Sequence, residues 1–86
     1  MAKRSRLEIS CDILKLILEG EHKPTQLMYN ANISWDVIKD LLELMITKQL
    51  ITENIFGKVK RYNITERGIR ILSYYQNAVK EIELFC

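Results

Sequence analysis

The sequence predicts a mainly α-helical fold with one small β-hairpin, an α+β arrangement. Three observations predict it. Segments with apolar residues at helical spacing follow residues that cap helices, a stretch of β-forming residues doubles back through a glycine turn, and the last twenty residues repeat apolar side chains every three or four positions. With 86 residues and 48% hydrophobic content, we expect residues 1–86 to form a single domain with one modest core.

The first helix is predicted over about residues 6–19. Ser5 and Glu8 have the spacing of a capping box, in which each satisfies a free backbone donor of the other. Gly20 is a suitable end because glycine tolerates the backbone conformation that closes a helix. The apolar face of this helix consists of a row at helical spacing with two neighbours beside it: Leu7, Cys11, Leu14, Leu18, Ile13 and Ile17.

Two further helices follow, joined by a tight turn. Pro24 suits the first turn of a second helix, about 24–30, and the asparagines of 30–32 supply the turn. Ser34 caps a third helix, about 35–48. Its inward stripe is predicted to consist of Ile38, Leu41, Leu42 and Met45. Together, residues of about 24–48 predict a helix-turn-helix.

A β-hairpin and a long final helix complete the chain. Residues 50–53 are rich in β-formers, 54–57 are expected to turn, and 59–64 return, for a hairpin of about 50–64. On the return strand, Lys60, Tyr62 and Ile64 share one face. Thr65 caps the last helix, about 66–85. This order predicts a winged helix-turn-helix with the hairpin as its wing and a long C-terminal dimerisation helix.

Three stretches resemble the small archaeal winged-helix DNA-binding proteins, a ten-kilodalton family of predicted transcriptional regulators. They are residues 6–14, residues 24–34, and residues 62–68, the last with the pattern Tyr-x-apolar-Thr-x-x-Gly. The resemblance implies a dimer in which the last helices pair as an antiparallel coiled coil. The last helix is shorter than the longest in that family, which implies a smaller interface.

Several function classes are disfavoured by the sequence. No apolar run reaches the roughly 18 residues that span a bilayer, so we expect a cytoplasmic protein without a membrane partner. One histidine and two cysteines do not supply four zinc ligands. The chain has no glycine-rich phosphate loop and no paired catalytic set. We therefore expect no enzyme activity, no cofactor, no metal and no small-molecule ligand.

Clustered basic residues predict double-stranded DNA as the partner, although the net charge is only +2. Residues 57–70 contain five bases and one acid. The candidate DNA-binding residues come from the N-terminal tail, the helix-turn-helix and the wing: Lys3, Arg4, Arg6, Thr25, Gln26, Asn32, Ser34, Trp35, Asp36, Lys39, Lys58, Lys60 and Arg61.

Most of these residues have an alternative role. Trp35 either contacts the DNA backbone or a thymine methyl, or braces the second helix. Thr25 either donates to phosphate or caps its helix. The wing lysines either bind phosphates or protect an edge strand, and the tail either follows the backbone or only improves solubility. The exposed face of helix three departs from the resembled family because it carries Asp36, Asp40 and Glu43.

The last helix predicts a homodimer, since its apolar surface is longer than a small body can cover. The candidate interface residues are Leu72, Tyr75, Val79, Ile82, Phe85 and Cys86. The alternative, that this stripe closes the domain's own core, accounts for Ile69 and Leu72 but not for the residues beyond. Cys86 either forms an intersubunit disulfide or is an idle terminal thiol, whereas Cys11 is expected in the core.

The sequence thus favours a sequence-specific transcriptional regulator that binds DNA through helix three and the wing. Two alternatives are a non-specific architectural DNA binder and a winged-helix protein–protein interaction module. The charge on helix three and the charge on the wing distinguish them.

Overall fold

The computed structural model describes residues 5–85, with side chains described through Ile82. Four helices and one antiparallel hairpin follow one another along the chain. They are α1 (Arg6–Leu18), α2 (Pro24–Ala31), α3 (Trp35–Thr47), β1 (Ile51–Phe56), β2 (Val59–Ile64) and α4 (Glu66–Phe85). The predicted fold class, mainly α with a small hairpin, is confirmed.

The first three helices begin beside residue types that favour a helix N-terminus. Ser5 Oγ accepts from the backbone N–H of Glu8 at 3.1 Å, and Ser34 Oγ accepts from that of Val37 at 3.4 Å. The capping box at α1 is only half formed, because the Glu8 carboxylate lies 3.4 Å from Ser5 Oγ instead of reaching the Ser5 backbone. The N-cap of α2 is Lys23, which makes no side-chain cap bond. Pro24 instead sets the start of that helix through its fixed φ.

Residues with a positive φ follow the ends of the first three helices. Asn32 closes α2 with φ of 56°, and Gly20 follows α1 with φ of 111°. Gln49, after α3, also has a positive φ of 63°. At that position the backbone N–H of Leu50 donates to the carbonyl of Met45 at 2.9 Å. Backbone hydrogen bonds to the helix ends therefore compensate for the left-handed residues.

One core lies between the helices and the inner face of the hairpin. α1 packs on α2, α4 and β2, while α3 packs on α2 and β1. The predicted stripe of α3 is confirmed, since all four of its residues are buried. The buried residues are Cys11, Ile13, Leu14, Ile17, Leu27, Ala31, Ile38, Leu41, Leu42, Met45, Ile51, Tyr62 and Leu72.

Two local predictions are corrected. Leu7 and Leu18 are 60% and 48% exposed, because α1 is covered mainly on the side that presents Ile13 and Ile17. The expected turn at 54–57 is also wrong: β1 continues to Phe56, and the turn consists of Gly57 and Lys58 alone. Gly57, with φ of 61°, occupies the first central position, as in the tight turns that suit the twist of hairpins.

Candidate nucleic-acid interface

The N-terminal end of α3 is exposed and carries several of the predicted DNA-binding residues. Ser34 caps the helix, and its unpaired backbone N–H groups give this end a partial positive charge. Trp35 is 49% exposed, so it is neither fully packed nor free of the body. Asp36 and Lys39 are exposed in the first two turns. This end offers hydrogen-bond donors, one aromatic ring and one lysine to a partner.

The wing places its basic residues on different sides of the hairpin. In the register of the strands, Lys60 lies opposite Ile55 and Arg61 lies opposite Asn54. Residues directly opposite one another share a face of the sheet, and successive residues alternate between faces. Lys60 therefore shares the inner face with Tyr62, whereas Arg61 points from the outer face. Lys58 lies in the turn between them.

The base of the wing is anchored to the body by Tyr62. Its backbone N–H donates to the carbonyl of His22 at 3.1 Å, and its own carbonyl lies 2.7 Å from Nδ1 of His22. Because a carbonyl only accepts, Nδ1 must carry the proton of that bond. The Tyr62 hydroxyl donates to Glu53 at 2.9 Å. Burial, followed by the hydrogen bond and charge of Glu53, raises the pKa of Tyr62.

A groove of about 360 Å³ runs between α3 and the wing; we call it the wing groove. Pro24 and Tyr62 contribute to its walls. Its charged and aromatic lining residues come from both elements: Trp35, Lys39 and Glu43 from α3, and Glu53, Lys58 and Lys60 from the wing. The fold thus brings together four of the predicted DNA-binding residues, Trp35, Lys39, Lys58 and Lys60. Arg61 is not among them.

The remaining exposed face of α3 is acidic, as predicted. Asp36, Asp40, Glu43 and Thr47 are all exposed. The Thr47 hydroxyl donates to the carbonyl of Glu43 at 3.0 Å, so it is satisfied within the helix. Carboxylates along this face oppose close approach of a phosphate backbone over the whole length of the helix. On α3, the side chains therefore favour contact with a polyanion only at the N-terminal end of the helix.

The other predicted DNA-binding residues lie at the margins of this surface or beyond it. Thr25 and Gln26 are exposed in the first turn of α2, and the cap role considered for Thr25 is not adopted because Lys23 is the N-cap. Asn32 is exposed at the end of α2. Arg6 is exposed as the first residue of α1. Lys3 and Arg4 lie outside the described residues.

Sequence reasoning missed an apolar wing tip. Ile55, Phe56 and Val59 are 62%, 65% and 47% exposed. The prediction of a turn at 54–57 had removed Ile55 and Phe56 from the strand. The adjacent Gly57 and Lys58, which form a two-residue turn, were the signal that could have placed both apolar residues at the tip.

The candidate dimer residues of α4 differ in how far they are exposed. Leu72 is 2% exposed and belongs to the chain's own core, which corrects its place among the interface residues. Tyr75 and Val79 are half-buried beside α1, and Ile82 is 63% exposed. The side chain of Phe85, and Cys86 as a whole, lie outside the described residues. Ile69, which the core was expected to explain, is 41% exposed.

The outward apolar row of α4 starts one residue before the predicted one and shares Ile82 with it. Ile71, Tyr74 and Ile82 are 39%, 69% and 63% exposed, and they recur at helical spacing. An α1–α4 groove of about 390 Å³ lies beside this row. Half of its lining is apolar or aromatic and half is polar or charged: Cys11, Leu72, Tyr75 and Val79, and Asp12, Lys15, Gln76 and Lys80. Burial, and secondarily the charge of Asp12, raises the pKa of the Cys11 thiol.

Two further features concern only residues 5–85. Among them, no three side chains of His, Cys, Asp or Glu are grouped closely enough to hold a metal ion. Within the same range, no helix has both the length and the apolar character needed to cross a membrane.

Comparisons with known proteins agree with this architecture. The chain is 32% identical over 71 residues to an uncharacterised protein of Methanocaldococcus jannaschii. The matched residues cover 83% of this chain and 69% of that protein. The chain is similar to the crystal structure of Sso10a-2, a DNA-binding protein from Sulfolobus solfataricus, with a TM-score of 0.84 and 26% identity over 95% of this chain and 85% of that one.

A more distant likeness concerns the fold alone. A variant of MepR from Staphylococcus aureus, solved bound to an oligodeoxyribonucleotide, matches with a TM-score of 0.77 and 14% identity over 90% of this chain and 60% of that one. The family model described as winged helix-turn-helix matches residues 3–83. The chain therefore belongs to the winged helix-turn-helix family, as its resemblance to small archaeal members indicated.

Proposed function

We propose that this protein is a sequence-specific transcriptional regulator that binds duplex DNA as a homodimer. The observation that carries the proposal is the wing groove, in which Lys58 and Lys60 from the hairpin face the same space as Trp35 and Lys39 from α3. Bases drawn from two separate elements onto one surface are typical of a site for a polyanion.

The DNA-binding role is also supported by the relatives. Sso10a-2 is described as a DNA-binding protein, and the MepR variant was solved with an oligodeoxyribonucleotide. Both are similar in fold to this chain, with TM-scores of 0.84 and 0.77. Such folds place the second helix of the motif in the major groove.

In the proposed complex, α3 enters the major groove by its N-terminal end only. Ser34 and the positive end of the helix face the phosphate backbone, while Thr25 and Gln26 donate from the start of α2. Asp36 accepts from cytosine N4, the base-edge donor that carboxylates usually contact in that groove. Asn32, beside this end, completes the contacts.

The acidic face of α3 favours one alternative, a protein-interaction module with a basic partner. Asp40 and Glu43 are exposed there, and a like-charged backbone would be repelled. An architectural DNA binder without sequence preference is the second alternative. It would use the wing and the basic tail of Lys3, Arg4 and Arg6 without base contacts.

The homodimer is proposed from α4 and the α1–α4 groove. A helix of 20 residues is about 30 Å long, and its outward row of Ile71, Tyr74 and Ile82 is left uncovered by the body. The same row from a second copy, laid antiparallel, would bury both. Twofold symmetry then predicts a palindromic DNA site with half-sites about one helical turn, or a multiple of it, apart.

The test compares the salt dependence of DNA binding in two double variants. Lys58→Ala with Lys60→Ala removes the lysines that the wing contributes to the wing groove. Lys23→Ala with Lys48→Ala removes the same charge from exposed sites that line neither the wing groove nor the α1–α4 groove. Fluorescence anisotropy on random duplex at several salt concentrations measures the slope, and selection from a random pool measures sequence preference.

If about five bases of each subunit contact phosphate, the dimer's slope of log affinity against log salt is roughly −9. The wing variant removes four of these contacts and flattens the slope to roughly −5, whereas the control leaves it unchanged. Equal slopes in the two variants would remove the wing from the interface. Absence of binding at low salt would favour the protein-interaction role, and binding without selection of a site would favour the architectural one.

This role requires no catalytic chemistry and no cofactor. We infer that the protein binds double-stranded DNA in the cytoplasm.

A further inference from the structure

The tip of the wing is apolar on both faces of the hairpin. Ile55 lies on the inner face, opposite Lys60. Phe56 pairs with Val59 next to the turn, and the two form a shallow concavity with Arg61 on the outer face. Phe56 and Ile55 are the more exposed of the three apolar residues, at 65% and 62%.

The fold does not require these side chains. The hairpin contributes to the core through Ile51 and Tyr62, which are 2% and 5% exposed, and through the half-buried Ile64. These residues lie at the base of the wing, several positions from the turn. Exposed apolar residues grouped at the end of a projecting element indicate a contact with another molecule.

The charges around the tip restrict what that molecule is. Lys58 lies in the turn, and Lys60 and Arg61 follow on opposite faces, so cations surround the apolar residues. The acid of the two strands is Glu53 at the base, where it accepts from the Tyr62 hydroxyl. The complementary partner carries negative charge on both sides of an accessible apolar interior. The minor groove of DNA has this character, with phosphates along its rims and stacked bases between them.

We propose that the apolar tip acts as a wedge in the minor groove, where Phe56, supported by Ile55, partly unstacks a base step and bends the duplex. The proposal rests on the proposed DNA-binding function and specifies how the wing contributes to it. Paired strands are about 4.8 Å apart, and the minor groove is about 6 Å wide. Only the tip therefore enters, and deeper entry widens the groove and bends the DNA toward the major groove.

The wedge would give the proposed sequence preference to a protein in which the exposed face of α3 is acidic. Unstacking requires least free energy at pyrimidine–purine steps, so a protein that unstacks prefers sites with such a step at the wing position. This preference needs no base-edge hydrogen bond from α3. Lys60 and Arg61, on opposite faces of the hairpin, are suited to the phosphates on the two rims.

The experiment measures bending and unstacking separately from binding. A duplex of about 30 base pairs with a central TA step carries a dye at each end and, in a second preparation, 2-aminopurine at the step. The full chain is added at low salt, where binding is strong. Phe56→Ala removes the wedge, Phe56→Leu keeps an apolar tip, and Thr52→Ala, on the same strand and face as Phe56, is the control.

The wild-type protein, Phe56→Leu and Thr52→Ala are expected to shorten the end-to-end distance and to raise 2-aminopurine fluorescence. Phe56→Ala is expected to lose both signals and to bind roughly tenfold more weakly, with an unchanged salt slope because no phosphate contact is lost. Circular dichroism checks that each variant is folded.

The failure of this proposal differs from the failure of the proposed function. If the wild-type protein binds the duplex but leaves it straight and stacked, the wedge is wrong and DNA binding stands. If it binds no duplex at all, both are wrong. Binding to phosphatidylserine vesicles that Phe56→Ala abolishes, without any bend in DNA, would overturn the wedge and assign the tip to an anionic membrane surface.

Discussion

Tyr62 connects the wing to the body through both its backbone and its side chain. Its backbone is paired with His22 in two hydrogen bonds, and its hydroxyl donates to Glu53 across the hairpin. The ring is buried against the core. Because the wing is a two-stranded hairpin, which is marginal by itself, these contacts determine how its basic residues are held relative to α3.

The raised pKa of Tyr62 predicts alkaline sensitivity of the fold. An unfolded tyrosine loses its proton near the ordinary pKa of 10.0, whereas the folded hydroxyl keeps it to higher pH. The unfolded state therefore binds fewer protons above pH 10, and the free energy of unfolding falls as pH rises through that range. At lower pH this contribution to stability is fully present.

Tyr62→Phe isolates this effect. The variant is expected to be less stable by about 0.5–1.5 kcal/mol at pH 7, since it loses one hydrogen bond, and to lose less stability than the wild type between pH 10 and 11. Urea unfolding at pH 7, 10 and 11 measures both differences. A pH dependence identical to that of the wild type would show that another group titrates.

At the scale of elements, the junction between the wing and α4 explains the Tyr-x-apolar-Thr-x-x-Gly pattern. The Thr65 hydroxyl donates to the carbonyls of Gln49 and Leu50, at 2.7 and 3.0 Å, and accepts from the backbone N–H of Gly68 at 3.0 Å. A Cβ at Gly68 would overlap the carbonyl oxygen of Leu50 and crowd Ile64. Glycine is required there because α4 starts directly against the segment that leads into β1.

Gly68→Ala tests this account by the sign of its effect. Helix propensity alone predicts that alanine stabilises a helical position by about 1 kcal/mol. The overlap with Leu50 predicts the opposite, a loss of about 1–3 kcal/mol. Thermal and urea unfolding decide between them, with Ser73→Ala on the exposed side of α4 as the control. A gain in stability would contradict the close contact.

Sequence reasoning located the elements well where local chemistry determines them. Ser34, Pro24 and Asn32 start or end helices through interactions within a few residues, and Thr65 does so through the backbone N–H of Gly68. The sequence did not predict features that depend on tertiary packing. The exposure of Leu7 and Leu18 depends on how far α2 and α4 cover α1, and a helical row contains no information on that coverage.

The candidate site shows the same division. The basic residues of the wing are visible in the sequence, and strand alternation alone predicts that Lys60 and Arg61 lie on opposite faces. A turn placed at 54–57 hid both the correct register and the apolar tip. The convergence of Lys39 with Lys58 and Lys60 depends on the packing of α3 against β1, which joins residues about twenty positions apart.

At the scale of the whole molecule, α4 has one buried and one exposed apolar face, and we propose a separate role for each. Leu72 is buried in the core and Tyr75 packs against it, while Ile71, Tyr74 and Ile82 are exposed. The first face closes the fold of one chain. The second is available for another copy, and the distance between two wings in a dimer would depend on how far along α4 the copies overlap.

Two substitutions in α4 separate these roles. Ile82→Asp is expected to give folded monomers, since it places a charge in the proposed interface without disturbing the core. Leu72→Ala is expected to lower the free energy of unfolding by about 2–5 kcal/mol, because it opens a cavity in the core. Light scattering reports the mass and urea unfolding the stability. A dimer that persists in Ile82→Asp would locate the interface elsewhere.

The central claim, that the N-terminal end of α3 and the wing form one DNA-binding surface, is tested most directly by NMR. Amide signals of the isotopically labelled protein are followed as a duplex is added. The account predicts that residues 34–39 and 56–61 shift together at the same DNA concentration, while the middle of the acidic face of α3 shifts little. Shifts confined to α1 and α4, or to residues 40–47, would contradict it.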